Sequence, residues 1–486
     1  MLLQITFDRD NYFHKDYQQF NNSHFNKSHS SKLLRIILIC KFLAKKSSKT
    51  TFVESIYKNK NMTQLKKVIN TYQLWSIAVG LVISGEYFGW NYGWQTSGTI
   101  GFLISTLLVT VMYVTFIFSY TELTTAIPDA GGAFEYANRA FGSLGGFIAG
   151  FATLVDFLLA PPAIAYALGS YVHFLNNDIP EIPVAIGTYF VFITINILGI
   201  KESARFSLVV TILSVLELVV FMAVIFPYFK TENFIAHNPP TLTIDGIFAG
   251  IPFAVWFFVA IEGVAMVAEE VKNPKITIPK AYISGIITLV VLALGVMILS
   301  AGVGDWRTLS NIDYPLPETL AMALGRDSYL AKLFASIGLF GLIASFHCNT
   351  ISYSRQIYAL ARAGYLPNFL SVVNSTFQTP HWALIVGGLV GFVAIFTGTT
   401  AQIIILSVLG AVVMYGISML SLIILRRKEP ELERPFKAPF YPLFPLIAFV
   451  LSMVCMVAIV YYNQDLGMIF FGGMLLCFGG YYLKTK

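Results

Sequence analysis

The sequence is short of charge. Asp, Glu, Lys and Arg make up 12% of its 486 residues, where a soluble domain carries roughly a quarter. So few ionic groups cannot cover a water-facing surface, and with 56% hydrophobic residues the expected solvent is lipid. Cysteine is scarce as well. Cys40, Cys348, Cys455 and Cys477 stand far apart, so neither a disulfide framework nor a metal site is implied. Catalytic signatures are missing: there is no His-Glu-x-x-His, no Gly-x-Ser-x-Gly and no phosphate-binding glycine loop. No enzymatic role and no cofactor is expected. The net charge of +6 is not a nucleic-acid signal, because eleven of the 32 Lys and Arg lie before residue 66 and the rest cluster in short loops.

What is present is a series of long apolar runs. Residues 1–65 differ from them, being rich in Asn, Lys, Ser and His, and their apolar stretch Leu33 to Ala44 is too short to span about 30 Å of hydrocarbon. This stretch is read as a cytosolic extension, disordered or upstream of a natural start at Met62, which opens a short basic lead. From residue 72 about twelve runs follow, near 72–96, 99–121, 141–174, 182–199, 204–229, 243–268, 278–303, 329–353, 382–398, 401–425, 440–462 and 467–483. Backbone amides in hydrocarbon must be satisfied within their own segment, so these are helices of a single transmembrane domain, residues 66–486. Basic residues concentrate in alternate loops, with only Lys230, Arg307, Arg326 and Lys332 on the other side. The positive-inside rule then sets both termini in the cytoplasm of a cell whose inner membrane the chain crosses.

Two runs are interrupted in matching fashion. Ile83-Ser-Gly-Glu-Tyr-Phe-Gly89 in the first and Phe258-Val-Ala-Ile-Glu-Gly263 in the sixth each set a carboxylate beside glycine midway along a span. Five spans separate them, the pattern of an inverted-repeat transporter whose broken helices frame a midplane site. Gly142, Gly146 and Gly150, spaced by four, are read instead as a helix-packing face.

The loops resemble a known family. Glu122-Leu-Thr-Thr-Ala-Ile-Pro-Asp-Ala-Gly-Gly132 with Arg139-Ala-Phe-Gly142 looks like the junction of helices two and three in the amino acid–polyamine–organocation permeases. Asn196-Ile-Leu-Gly-Ile-Lys-Glu-Ser-Ala204 is similar to their lead-in to helix five, and Glu269-Glu-Val-Lys-Asn-Pro-Lys-Ile-Thr-Ile-Pro-Lys-Ala281 to the loop after helix six. Ser354-Arg-Gln-Ile-Tyr-Ala-Leu-Ala-Arg-Ala-Gly-Tyr-Leu-Pro367 and Arg434-Pro-Phe-Lys-Ala-Pro439 resemble the exit from helix eight and the start of helix eleven. A narrower resemblance, through Ile83-Ser-Gly-Glu-Tyr-Phe-Gly-Trp-Asn91, Ala254 to Met266 and Ala344-Ser-Phe-His347, is to the ethanolamine permeases. The resemblance implies an all-α, LeuT-like 5+5 inverted repeat with broken helices 1 and 6 and two extra C-terminal helices. The wider family's Gly-Ser-Gly-Ile on helix one becomes Ile-Ser-Gly-Glu here, and its helix-six glycine becomes Ala260.

Glu86, Asp156, Glu217 and Glu262 all fall within expected spans, whose middles hold no Lys or Arg. An acidic residue at a helix centre costs about 2.5–3.5 kcal/mol even on the lower scale, so each needs a partner. At Glu86 that partner is expected to be a cation: a carboxylate at the break repels an anionic substrate and attracts an ammonium group. The alternative is a protonated glutamate that ties two helices together. Ser84, Gly85, Glu86, Tyr87, Phe258 and Glu262 are the expected lining of the site, with the rings able to face an ammonium. Asp156 is a second amine contact or a proton site, and Glu217 pairs with a neighbouring helix or takes part in transport. His347 hydrogen-bonds a substrate hydroxyl, relays protons, or simply joins two helices. By resemblance Trp256 is the gating aromatic and Glu262 a proton-coupling group. The expected function is secondary transport of ethanolamine or a similar small primary amine by alternating access, with H+ a possible coupling ion and the chain a monomer or homodimer. An amino acid or polyamine permease of the same fold is the alternative, and a channel or an intramembrane enzyme is a minor one.

Overall fold

The computed structural model describes residues 67–485 apart from 199, 240–241 and 327. The extension 1–65 and the start at Met62 lie outside the described residues. The described chain is helical, and nine of its helices are long and apolar enough to cross a membrane. Three further spans complete the expected twelve: a split first one, the short His381–Ala394 and Gln464–Thr485. In chain order the second to fifth spans end on the helices Tyr92–Ala126, Ser143–Leu175, Glu181–Leu198 and Ile200–Ile225. The sixth runs within 244–270, followed by Pro274–Ala301, Tyr329–Arg362, His381–Ala394, Thr400–Lys428, Leu443–Tyr462 and Gln464–Thr485.

Local chemistry sets several boundaries. Asn70 and Gln73 form a reciprocal capping box at the head of the first span, and Thr399 and Gln402 do the same for the tenth. Gly98, at φ 64°, separates the first span from the second inside one continuous helical stretch. The eighth span runs on to Arg362, so the segment expected as its exit loop is still helical. A Cβ at Gly150 would lie 2.6 Å from Leu360, in keeping with glycines that admit a neighbouring helix.

Large apolar side chains such as Val111, Phe190, Leu216, Val291 and Val457 stand exposed around the bundle, a surface that suits lipid and not water. Inside, residues 251–268 of the sixth span are wholly buried. Loops sort onto two ends as their charge predicts. At the basic end, Glu122 holds Arg426 (2.5 and 2.8 Å) and Arg434 (3.2 Å), while Arg362 bridges Asp129 and Glu269. There the two broken spans are also tied by their backbones: the amides of Val68 and Ile69 donate to the Glu270 carbonyl at 2.9 and 3.0 Å. The Glu270 carboxylate accepts from Arg355 Nε at 2.9 Å, with both side chains fully buried.

At the opposite end, the loop after the seventh span lies across the first and tenth. Asp313 accepts from the Tyr92 hydroxyl at 2.6 Å and from Thr400 at 3.0 Å, and the Asn91 amide donates to the carbonyls of Leu309 and Ile312. Burial lifts the Asp313 carboxyl to about 6, against the lowering effect of those two donors.

Two outcomes follow for purified protein in detergent. Arg355→Ala strands a buried carboxylate and is expected to cost about 3–5 kcal/mol, read as a large fall in melting temperature, whereas the paired change Arg355→Gln with Glu270→Gln costs less. For Asp313 the folded chain holds its proton more tightly than the unfolded one. Its stabilising contribution is therefore full below pH about 4 and is lost as pH rises through about 6. Melting temperature is expected to fall across that window, and Asp313→Asn to flatten the step.

Candidate substrate site at the two helix breaks

The first span does not break at its carboxylate but just after it. Ser84–Tyr87 continues the helical path through Ile83, and only Phe88 becomes extended, at φ −162° and ψ 170°. Gly89 follows at φ +91°, a conformation that a residue with a Cβ adopts only at a cost. The Asn91 side chain then takes up the Gly89 amide at 2.9 Å. In the sixth span the helix Ile251–Trp256 gives way to a turn and then to the 3-10 helix Ile261–Glu270. The hinge is Ala260, left-handed at φ 78°. A methyl-bearing residue pays roughly 1–2 kcal/mol for that conformation.

The two breaks touch. A Cβ on Gly85 would lie 2.4 Å from the Trp256 carbonyl oxygen, so glycine is what lets the backbones meet. Trp256 closes the contact from the other side: its indole N–H donates to the Phe88 carbonyl at 3.0 Å and its ring stands edge-on to Phe88.

The expected site residues divide into groups. Glu86 is fully buried, and neither carboxyl oxygen has a hydrogen-bond partner among the described residues. Its main chain is engaged at both ends, the amide donating to the Ile83 carbonyl at 3.1 Å and the carbonyl accepting from Trp90 Nε1 at 3.0 Å, and no ion pair reaches its carboxyl among the described residues. Ser84 and Tyr87, by contrast, are occupied. The Ser84 hydroxyl lies 2.8 Å from that of Ser345, and Ser345 and Asn349 both donate to the Leu81 carbonyl. The Tyr87 hydroxyl donates to Glu217 of the fifth span, with the Ser214 carbonyl 3.2 Å away, and Tyr171 donates to the Tyr87 carbonyl at 3.0 Å.

Asp156 and Glu262 form a second centre. Their buried carboxyls lie close to each other between the third and sixth spans, and one oxygen of each, Asp156 Oδ2 and Glu262 Oε1, has no hydrogen-bond partner among the described residues. Ser407 of the tenth span donates to Asp156 Oδ1 at 2.7 Å, and Tyr415 to Glu262 Oε2 at 3.0 Å. Tyr113 continues the chain, 2.9 Å from Tyr415, and its ring carries Phe258 at 5.2 Å. His347 lies elsewhere: its Nδ1 is 3.1 Å from the Asn196 amide, and its ring packs with Phe192 and Phe206 between the fourth, fifth and eighth spans.

Ser407, Tyr415 and Tyr113 were not singled out from the sequence. A signal was there: Ser407 and Tyr415 are eight residues apart, on one face of an otherwise apolar tenth span, with Gly410 between them. A Cβ at Gly410 would meet the Ala152 carbonyl at 2.5 Å and the Asp156 amide at 3.0 Å, so that face is built to approach the third span.

A helical bundle in which two interrupted spans face each other, with acids buried at the interruptions, has the build of a membrane carrier for small solutes. The chain belongs to the amino acid permease family, whose profile matches residues 69–479. It is similar to a branched-chain amino acid permease of Bacillus subtilis, 25% identical over 418 residues, which cover 80% of this chain and 87% of the relative. The human cystine/glutamate transporter is 28% identical over 433 residues, 82% of this chain and 81% of its own. An uncharacterized transporter of Rhizobium meliloti is 24% identical over 407 residues, at 82% and 87% coverage. These relatives are permeases and transporters, which sets this chain among multi-pass carriers of small organic solutes and not among enzymes.

Replacing Gly85 by Ala forces the breaks apart and is expected to abolish uptake in vesicles. Trp256→Phe keeps the ring but removes its bond to Phe88, and is expected to leave insertion intact while raising the leak of solute through the carrier.

Proposed function

We propose that this chain carries a small primary amine, such as ethanolamine, across the cytoplasmic membrane by alternating access, with both termini in the cytoplasm. The observation that carries this reading is Glu86: a carboxyl beside a helix break, fully buried, with no donor and no cation on either oxygen among the described residues. In low dielectric such a group is costly as an anion unless a positive charge reaches it. A primary ammonium brings that charge and three N–H donors, and buried aromatic side chains at the breaks, Tyr87, Trp90 and Trp256, are of the kind that attracts a cation. A substrate carboxylate at the same place would meet Glu86 as a like charge.

The Asp156–Glu262 pair is the proposed site for H+. The two carboxyls lie together between the third and sixth spans, with Ser407 of the tenth bonded to Asp156, so ionisation of both would set two like charges against each other and push those elements apart. Trp256, anchored on Phe88, is the proposed gate.

A second reading, an amino acid or polyamine carrier, draws support from relatives whose names specify branched-chain amino acids and cystine or glutamate. Uptake of labelled ethanolamine into vesicles, challenged with unlabelled amines and amino acids, decides between them. The amine reading expects competition by small amines alone; competition by amino acids and none by ethanolamine overturns it. Glu86→Gln is expected to lose amine binding while the protein stays folded and inserted. Asp156→Asn is expected to retain binding but shift or flatten the pH dependence of uptake, and an unchanged profile removes the pair from coupling.

A further inference from the structure

A cleft of about 480 Å³ opens at the basic end between the tenth and eleventh spans, lined by Ile423, Arg426, Arg427, Tyr441, Pro442 and Leu446. Its two arginines are in different states. Arg426 is neutralised: both arms of its guanidinium fork bond Glu122, and its face lies 3.7 Å from the centre of the Tyr441 ring. Arg427 is exposed and has no acceptor among the described residues. The wall beside it is apolar and open to the bundle surface, with Leu446 at 44%, Leu443 at 55% and Phe440 at 74% exposure.

The cleft therefore offers three things in one place. A free cation sits at the end of a span, where the chain leaves the hydrocarbon. An aromatic ring, held by a stacked arginine, forms one side at headgroup depth. Aliphatic side chains run from there along the outside of the bundle. A phosphate with its acyl chains fits that sequence of surfaces, and a neutral headgroup leaves the cation unanswered.

We propose that this cleft binds one anionic phospholipid, its headgroup phosphate on Arg427 and an acyl chain along Ile423 and Leu446. Arg426 is a positioning residue here: it fixes Tyr441 and, through Glu122, ties the second span to the tenth, so the lipid seats against a rigid corner of the bundle. The site lies apart from the helix breaks and does not depend on which solute is carried.

The test is native mass spectrometry of the full chain titrated with phosphatidylglycerol or phosphatidylcholine. A surface cation near a membrane contributes enough attraction for about a fivefold preference. Wild type is expected to retain the anionic lipid by that factor, Arg427→Gln to lose the preference, and Arg427→Lys to keep most of it. Equal retention of the two lipids by wild type, or an undiminished preference in Arg427→Gln, overturns the proposal. So does displacement of the bound lipid by inorganic phosphate alone, which would mark a site for a soluble anion.

Discussion

A peptide group in hydrocarbon must find its hydrogen bond within its own chain or from a neighbour already in place, and the architecture of this carrier turns on the two points where it does not find it in its own helix. Where the first span opens at Phe88, the released groups are met by particular neighbours: Trp256 takes the Phe88 carbonyl and Asn91 takes the Gly89 amide. About two turns earlier the Leu81 carbonyl is claimed by Ser345 and Asn349. The breaks are supported at each step from the sixth and eighth spans, which is why they can sit at the centre of a bundle without leaving exposed backbone to lipid.

The buried acids are sorted by the same logic. Glu217 receives a phenol and Glu270 a guanidinium, while Asp156 receives a serine hydroxyl and Glu262 a tyrosine hydroxyl. Each of those four has at least one carboxyl oxygen engaged by another side chain, though Asp156, Glu262 and Glu270 each keep one oxygen without a partner among the described residues. Glu86 has neither oxygen engaged, which sets it apart from carboxyls that the protein itself holds.

Much of this was readable from the chain. Scarcity of charge, run lengths and loop basicity lead directly to a helical bundle with two ends, because each reflects the cost of moving charge or an open amide into lipid. The matched Gly-Glu interruptions also mark the two breaks, though the first opens two residues beyond its carboxylate, at Phe88, just ahead of the glycine that takes positive φ. What could not be read is the partnering across spans. Asp156 and Glu262 are separated by more than a hundred positions, and neither Tyr415 nor Ser407 carries a local pattern that names its acceptor. For His347 the sequence left a helix-joining role open beside a transport one, and its neighbours Asn196, Phe192 and Phe206 could not be named from it. Side-chain periodicity reports which face is buried, not which distant helix it meets.

The broken middle of the sixth span, residues 251–268, is buried throughout and has no boundary with acyl chains. A bilayer that is thicker or thinner than the bundle prefers must tilt or stretch the outer spans first. Membrane tension thus reaches the hinge at Ala260 only through side chains of the surrounding helices, and the central element is mechanically insulated from the composition of the host membrane.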